Sequence, residues 1–187
     1  MKFLIVGLGN PGEDYLDTRH NIGFKALDFV SEQTSAFFNV DKLGHVASYK
    51  HRGRTILLLK PSTFMNLSGK AVSYWMKKEK IKLQNLLVVT DDINLPMGKL
   101  RLKKRGSDGG HNGLKNIQEL LGTQDYARLR IGVGNEFKKG NQVNYVLGKW
   151  TIEEKETLNP KLNLIQKIFE DFSFIGVERT MNSYNNK

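Results

Sequence analysis

The chain has no cysteine among its 187 residues, so disulfide bridges and thiolate-held metals are excluded. Histidine is scarce as well. His20, His45, His51 and His111 are the full set, and none are paired at metal-ligand spacing, so no metal and no cofactor are expected. No Gly-x-Ser-x-Gly occurs, which removes the nucleophile-elbow serine hydrolases. No apolar run is long enough to cross a bilayer, and the run within Met1–Gly12 is too short for a secretory signal. A soluble, cytoplasmic protein with no membrane partner is the expectation. Linkers, repeats and low-complexity segments are missing too. A single domain is therefore expected over residues 1–180, with a frayed tail at 181–187.

Acidic residues are also in short supply. Lys and Arg number 29 against 19 Asp and Glu, a formal net charge of +10. Such a balance favours polyanionic partners through counterion release and steering. In Lys99-Leu100-Arg101-Leu102-Lys103-Lys104-Arg105 the cations Lys99, Arg101, Lys103 and Arg105 alternate with apolar Leu100 and Leu102. A period of two places those four cations on one face of a strand, a row suited to a phosphate backbone. Arg128-Leu129-Arg130-Ile131 repeats the alternation. Lys77-Lys78-Glu79-Lys80 reads as a solvated helix end, where cations suit the dipole.

The most informative stretch is GLGNPGEDYLDTRHNIG, residues 7–23, directly after the apolar Lys2–Val6. Its letters contain Gly-x-Gly-x-x-Gly, the mark of a dinucleotide turn. That turn needs a helix beginning at once, with its N-terminus facing a pyrophosphate. Here Pro11-Gly12 is a turn dipeptide, and Glu13, Asp14 and Asp17 would set three carboxylates beside the anion. Helical periodicity starts only near Asn21. What remains is a strand delivering a polar loop with Asn10, Tyr15 and His20.

Periodicity predicts strands at 2–6, 46–51, 55–60, 86–89, 99–105 and 128–133, and helices at 21–33, 67–78 and 113–121. Thr151-Ile152-Glu153-Glu154 is a capping box opening a further helix. Pro160 is expected to interrupt that helix, with a second piece starting at Lys161. The fold class that follows is α/β, a single three-layer domain with a mixed, mostly parallel central sheet flanked by helices. Ligands collect at the carboxyl ends of strands in such sheets. Three polar loops are expected there: Asn10 to His20, Lys60 to Asn66, and Thr90-Asp91-Asp92. Gly109-Gly110-His111-Asn112-Gly113 opens a helix, where backbone N–H groups can meet a carbonyl or an anion.

Taken together, GLGNPG with TRHNIG, KPSTFMNLSG, DDINLPMGKLRLK, GGHNGLKNI, RLRIGVG and NYVLGKW resemble the bacterial peptidyl-tRNA hydrolases of the first structural family. The matching stretches run from Gly7 to about Trp150, in family order; KPSTFMNLSG and GGHNGLK are the specific ones. The resemblance implies hydrolysis of the ester joining a peptide, or an N-blocked aminoacyl group, to the 3′ end of tRNA, by a monomer. It implies that His20 is the general base for water and that Asp91 hydrogen-bonds its imidazole. Asn10 matches the residue credited with telling blocked from unblocked substrate. Tyr15, Phe64, Asn66 and Asn112 match substrate contacts, and Arg101, Lys103 and Arg130 match cations facing tRNA phosphate. The chemistry agrees: imidazole titrates near neutrality, and an aminoacyl ester needs neither a serine nor a metal. Asn66 or Asn112 is available as an oxyanion donor.

The chain departs from the family pattern at several places. Asn135-Glu136-Phe137 replaces a loop that often holds proline, and Asp92 stands beside Asp91 as a rival orienting acid, settled in favour of Asp91 by register with Leu95-Pro96-Met97-Gly98. Asp108 adds a carboxylate before Gly109-Gly110. Pro160 makes less regular a carboxyl-terminal helix that the family uses as a lid. Two rival classes are a non-catalytic RNA-binding relative, opposed by Asn10, His20 and Asp91 occurring together, and a nicotinamide-dependent oxidoreductase, opposed by Pro11 and its neighbouring carboxylates.

Overall fold

Lys2–Gly7 forms the central strand β1, and its side chains alternate between two apolar cores. Phe3 and Ile5 enter one core, Leu4 and Val6 the other. A strand covered on both faces in this way has no polar positions to spare, which is why it reads as one apolar run. The structure, a computed structural model, describes residues 1–185.

In chain order the remaining strands are β2 (Asn39–Asp41), β3 (Gly44–His51), β4 (Arg54–Pro61), β5 (Leu86–Asp92), β6 (Leu100–Lys103) and β7 (Ala127–Gly132). The helices are α1 (Ile22–Gln33), α2 (Ser68–Lys78), α3 (Asn112–Leu121), α4 (Gln142–Val146), α5 (Ile152–Ile175) and α6 (Val177–Tyr184). The seven strands lie in the order β2-β3-β4-β1-β5-β7-β6. β4, β1, β5 and β7 are mutually parallel, and antiparallel strands complete both edges. Helices α1 and α5 cover one face and α2 and α3 the other. This is the single three-layer α/β domain that the periodicity implies. The carboxyl ends of the four parallel strands share one edge, and the loops beyond them meet there.

Close approach at that edge depends on two glycines. A Cβ on Gly7 would stand 2.3 Å from the Gly23 carbonyl oxygen, and one on Gly23 would stand 2.4 Å from the Leu8 nitrogen. Both positions must lack a side chain for α1 to start against the end of β1. Fourteen residues, 8–21, separate the end of β1 from that helix start, and Gly12 takes φ 107° in the turn. A pyrophosphate would find no helix N-terminus directly after the glycines.

Several expectations are corrected. Thr90-Asp91-Asp92 is not a loop but the buried end of β5. Pro160 lies inside a continuous helix α5. Leu158, Leu162, Ile165, Phe169 and Phe172 form one buried stripe across it, each contributing about 1.5–3 kcal/mol on burial. That outweighs a penalty of about 3 kcal/mol for proline in a helix. Pro160 and Glu156, whose carbonyl loses its helical partner, are both exposed, so the loss falls on the side of the helix open to solvent. The expected frayed tail is also wrong as far as Asn185. Helix α6 runs to Tyr184, and the Asn185 side chain accepts from Leu102 N at 2.8 Å and donates to Leu102 O at 2.9 Å, extending the sheet edge at β6. Asn186 and Lys187 lie outside the described residues.

Candidate active site

At the carboxyl edge of β1 and β5 a cleft of about 420 Å³ is lined by Asn10, His20, Phe64, Asn66, Asp91, His111, Asn112 and Arg130, with apolar wall residues from α4. Three residues form its polar centre. Asp91, buried at the end of β5, holds an imidazole on either side. His20 Nδ1 lies 3.0 Å from each Asp91 oxygen. His111 Nε2 lies 2.9 Å from Asp91 Oδ1.

The tautomers follow from the partners. His111 Nδ1 accepts from Gly113 N at 3.1 Å and Leu114 N at 3.4 Å, capping α3. A nitrogen facing two N–H donors must be the unprotonated one, so Nε2 carries the proton and donates it to Asp91. His20 Nδ1 faces only carboxylate oxygens and is likewise the protonated nitrogen, which leaves the lone pair on Nε2. The helix N–H groups expected to receive a substrate carbonyl or anion are therefore taken by His111 itself. This residue was not among the expected site residues. Its signal in the sequence, a histidine two positions before a predicted helix, is shared by many ordinary caps.

Burial alone would raise the Asp91 carboxyl, but the electrostatic field and the hydrogen bonds of the two imidazoles reverse that and hold it below the ordinary carboxylate range. Burial alone would lower His20, and Asp91 overcomes it by field and hydrogen bond, holding the imidazole above its ordinary value of 6.5. His20, Asp91 and His111 also satisfy a simple distance condition for holding a metal ion. Their donor chemistry does not fit one: the N–H groups of both rings point at the carboxylate where lone pairs would be required.

Asn10, only 8 % exposed, is oriented by its neighbours. Its Oδ1 accepts from Met65 N at 2.7 Å, which turns Nδ2 with its two hydrogens to the cleft. Its backbone N donates to Asn21 Oδ1, and its carbonyl accepts from Asn21 Nδ2, both at 2.9 Å. The loop from Asn10 to Asn21 is thereby closed on itself, with His20 inside the closure.

Of the other expected residues, Phe64 is 53 % exposed at the rim and Tyr15 stands behind it, ring centroids 6.2 Å apart. Asn66 and Asn112 line the cleft with exposed side chains. Arg130 lines it too, its Nε 2.8 Å from Asp92 Oδ2. Arg101 and Lys103 lie outside the cleft on β6, directly opposite Arg130 and Arg128 on β7. Arg101 is exposed and Lys103 half-buried. Arg128 departs from the expected row of cations. It is 1 % exposed, stacks on Tyr126, and donates to the carbonyls of Ser107 and Gln124. Its charge pins the loop leading to His111 rather than facing solvent.

These features define a single-domain α/β protein with an imidazole–carboxylate–imidazole cleft at the carboxyl edge of its sheet. Comparison with known proteins narrows the class. The profile of the peptidyl-tRNA hydrolase family matches residues 4–187. Peptidyl-tRNA hydrolase of Phocaeicola vulgatus is 52 % identical over 187 residues, covering 100 % of both chains, and that of Bacteroides fragilis is 51 % identical with the same coverage. The crystal structure of peptidyl-tRNA hydrolase from Acinetobacter baumannii superimposes with a TM-score of 0.92 at 32 % identity, over 98 % of this chain and 94 % of that one. The chain belongs to the peptidyl-tRNA hydrolase family and is a hydrolase acting on an ester bond.

Proposed function

We propose that the protein hydrolyses the ester of peptidyl-tRNA and of N-blocked aminoacyl-tRNA, with His20 as the general base. The observation that carries this reading is the double grip on Asp91. It commits the proton of His20 to Nδ1 and leaves Nε2, on a cleft-lining residue, as the proton acceptor. Nε2 takes a proton from water as the water oxygen bonds to the ester carbonyl carbon. The tetrahedral oxyanion then collapses, the bond to the ribose oxygen breaks, and the imidazolium returns its proton to that oxygen. Free tRNA and a peptide acid leave. A positioned base of this kind contributes about 10²–10⁴-fold. Asp91 stabilises the transient imidazolium and needs no proton of its own.

The cleft supplies hydrogen-bond donors for the rest. Asn66 and Asn112 are both available to the oxyanion. Asn10 Nδ2 makes no hydrogen bond among the described residues and is left as a donor, and that polarity accounts for selection by the state of the amino group. A blocked substrate presents an amide carbonyl that accepts from Nδ2, whereas a free aminoacyl group presents an ammonium, itself all donors. Tyr15 and Phe64 form an aromatic rim on which an unstacked base can rest. Arg130 in the cleft, with Arg101 and Lys103 continuing along β6, offers cations to phosphates of the acceptor arm. The protein acts without a membrane or cofactor, as a monomer in the cytoplasm.

The test is to give the protein N-acetyl-aminoacyl-tRNA and the matching unblocked aminoacyl-tRNA in parallel. Release of free tRNA from the blocked substrate well above the unblocked one is expected. Equal rates on both would remove the selection assigned to Asn10, and no release from the blocked substrate would remove the function.

A further inference from the structure

We propose that Arg19 is a positioning residue that fastens the α4 wall of the cleft to the turn carrying His20, with Glu154 and Tyr145 as its partners. The inference rests on the hydrolase reading above and adds to it a device that keeps the substrate wall in register with the base.

Helix α4 needs such a device. Gln142, Val143, Val146 and Leu147 from this segment line the cleft, yet α4 has only five residues and none is buried. A helix of that length has no stability of its own. Its anchor is Tyr145. The Tyr145 hydroxyl donates to Val133 O at 2.6 Å, and its backbone carbonyl accepts from Arg19 Nη1 at 3.1 Å. The Arg19 guanidinium also lies 4.4 Å from the Tyr145 ring centroid.

The rest of the guanidinium is spent on α5. Nε and Nη2 donate to Glu154 Oε1 and Oε2 at 2.9 and 2.8 Å, a bidentate pair. Glu154 is itself immobilised, because Oε2 accepts from Thr151 N at 2.8 Å in the capping box of α5. Backbone contacts complete the strap. Arg19 N donates to Gly148 O at 3.1 Å, and Thr18 and Lys149 form a β-bridge. A Cβ on Gly148 would stand 2.8 Å from Arg19 Nη1 and would displace that end of the guanidinium. One side chain thus joins α4, α5 and the residue adjacent to His20, while itself being 8 % exposed. Its side chain bonds to Glu154 and Tyr145 and not to Asp91 or the His20 imidazole among the described residues, so it acts through the wall.

Lysine keeps the charge but has neither the planar fork nor the stacking face. Arg19→Lys is therefore the discriminating variant, and Glu154→Gln, which keeps one acceptor and the cap, is the milder second. Three readouts are compared with wild type: melting, steady-state kinetics on N-acetyl-aminoacyl-tRNA across pH, and amide exchange of residues 142–147. Both variants are expected to exchange faster at 142–147 and to keep wild-type protection in β5. Their kcat/KM is expected to fall by up to about 10²-fold, the scale of a 1 Å misplacement. The loss should be carried mainly by KM, with the acidic limb of the pH profile unmoved because the His20–Asp91 pair is intact. A folded Arg19→Lys protein with wild-type exchange at 142–147 would overturn the proposal. So would faster exchange with unchanged kcat and KM, since the clamp would then be structural only. If wild type itself releases no tRNA, the hydrolase reading fails, and the exchange data still decide whether Arg19 holds α4.

Discussion

Asp91 serves two imidazoles with one carboxylate, and the consequences are sharpest for pH. In the proposed mechanism His20 must be unprotonated to act as base, so activity is expected to rise as pH passes upward through its pKa. Asp91 holds that pKa above 6.5. Replacing it by asparagine leaves burial to act alone, which lowers the pKa. Asp91→Asn is therefore expected to move the acidic limb of kcat/KM to lower pH while reducing the plateau, because the imidazolium formed in the reaction loses its counter-charge. Asp92→Asn should leave the limb in place, since Asp92 meets Arg130 and not His20. A pH–rate profile of both variants checks this, and a shift for Asp92→Asn larger than for Asp91→Asn would contradict it. At this scale the family motifs pointed to His20, Asp91 and Asn10, and the structure brings all three to one cleft. They could not reveal His111, whose role depends on which of its nitrogens caps α3. Nor could they reveal Arg128, whose alternation with Leu129 looks like that of Arg130. Arg130 lines the cleft beside Asp92, and Arg128 is buried against the Ser107 loop.

Elements were legible where burial wrote a period into them. β1, β5, α1 and α2 bury defined faces, and their positions follow from apolar spacing. Strand β2 and helix α4 have no buried residue and left no such trace. Helix α6 buries only Thr180 and depends on contacts distant in sequence, among them Asn185 on the backbone of Leu102. Helix α5 shows the converse, a local signal overruled by packing. Pro160 costs it a hydrogen bond on its solvent side, so Pro160→Ala is expected to stabilise the fold. The helical gain is at most about 3 kcal/mol, lessened by the greater freedom of the unfolded chain. Turnover should be unchanged, since Pro160 lies outside the cleft. Thermal unfolding with a parallel assay checks both, and a lower melting temperature would show that the proline is adapted to its place.

For the whole molecule, charge and catalysis divide between two regions. A net charge of +10 favours a polyanion over the surface as a whole, but the proposed track runs from Arg130 in the cleft to Arg101 and Lys103 on β6. Lys77, exposed at the carboxyl end of α2, serves as the distant control. Arg101→Ala is expected to raise KM for intact substrate and to flatten its salt dependence by roughly 0.7–0.9 in log–log slope, one phosphate's share. An equal effect from Lys77→Ala would make the charge diffuse steering. The most direct test of the account concerns His20. Purified wild type and His20→Ala, matched in melting temperature, are compared for release of tRNA from N-acetyl-aminoacyl-tRNA under single-turnover conditions. Loss of about 10²–10⁴-fold in the rate is the predicted result. Turnover by His20→Ala at the wild-type rate would contradict it.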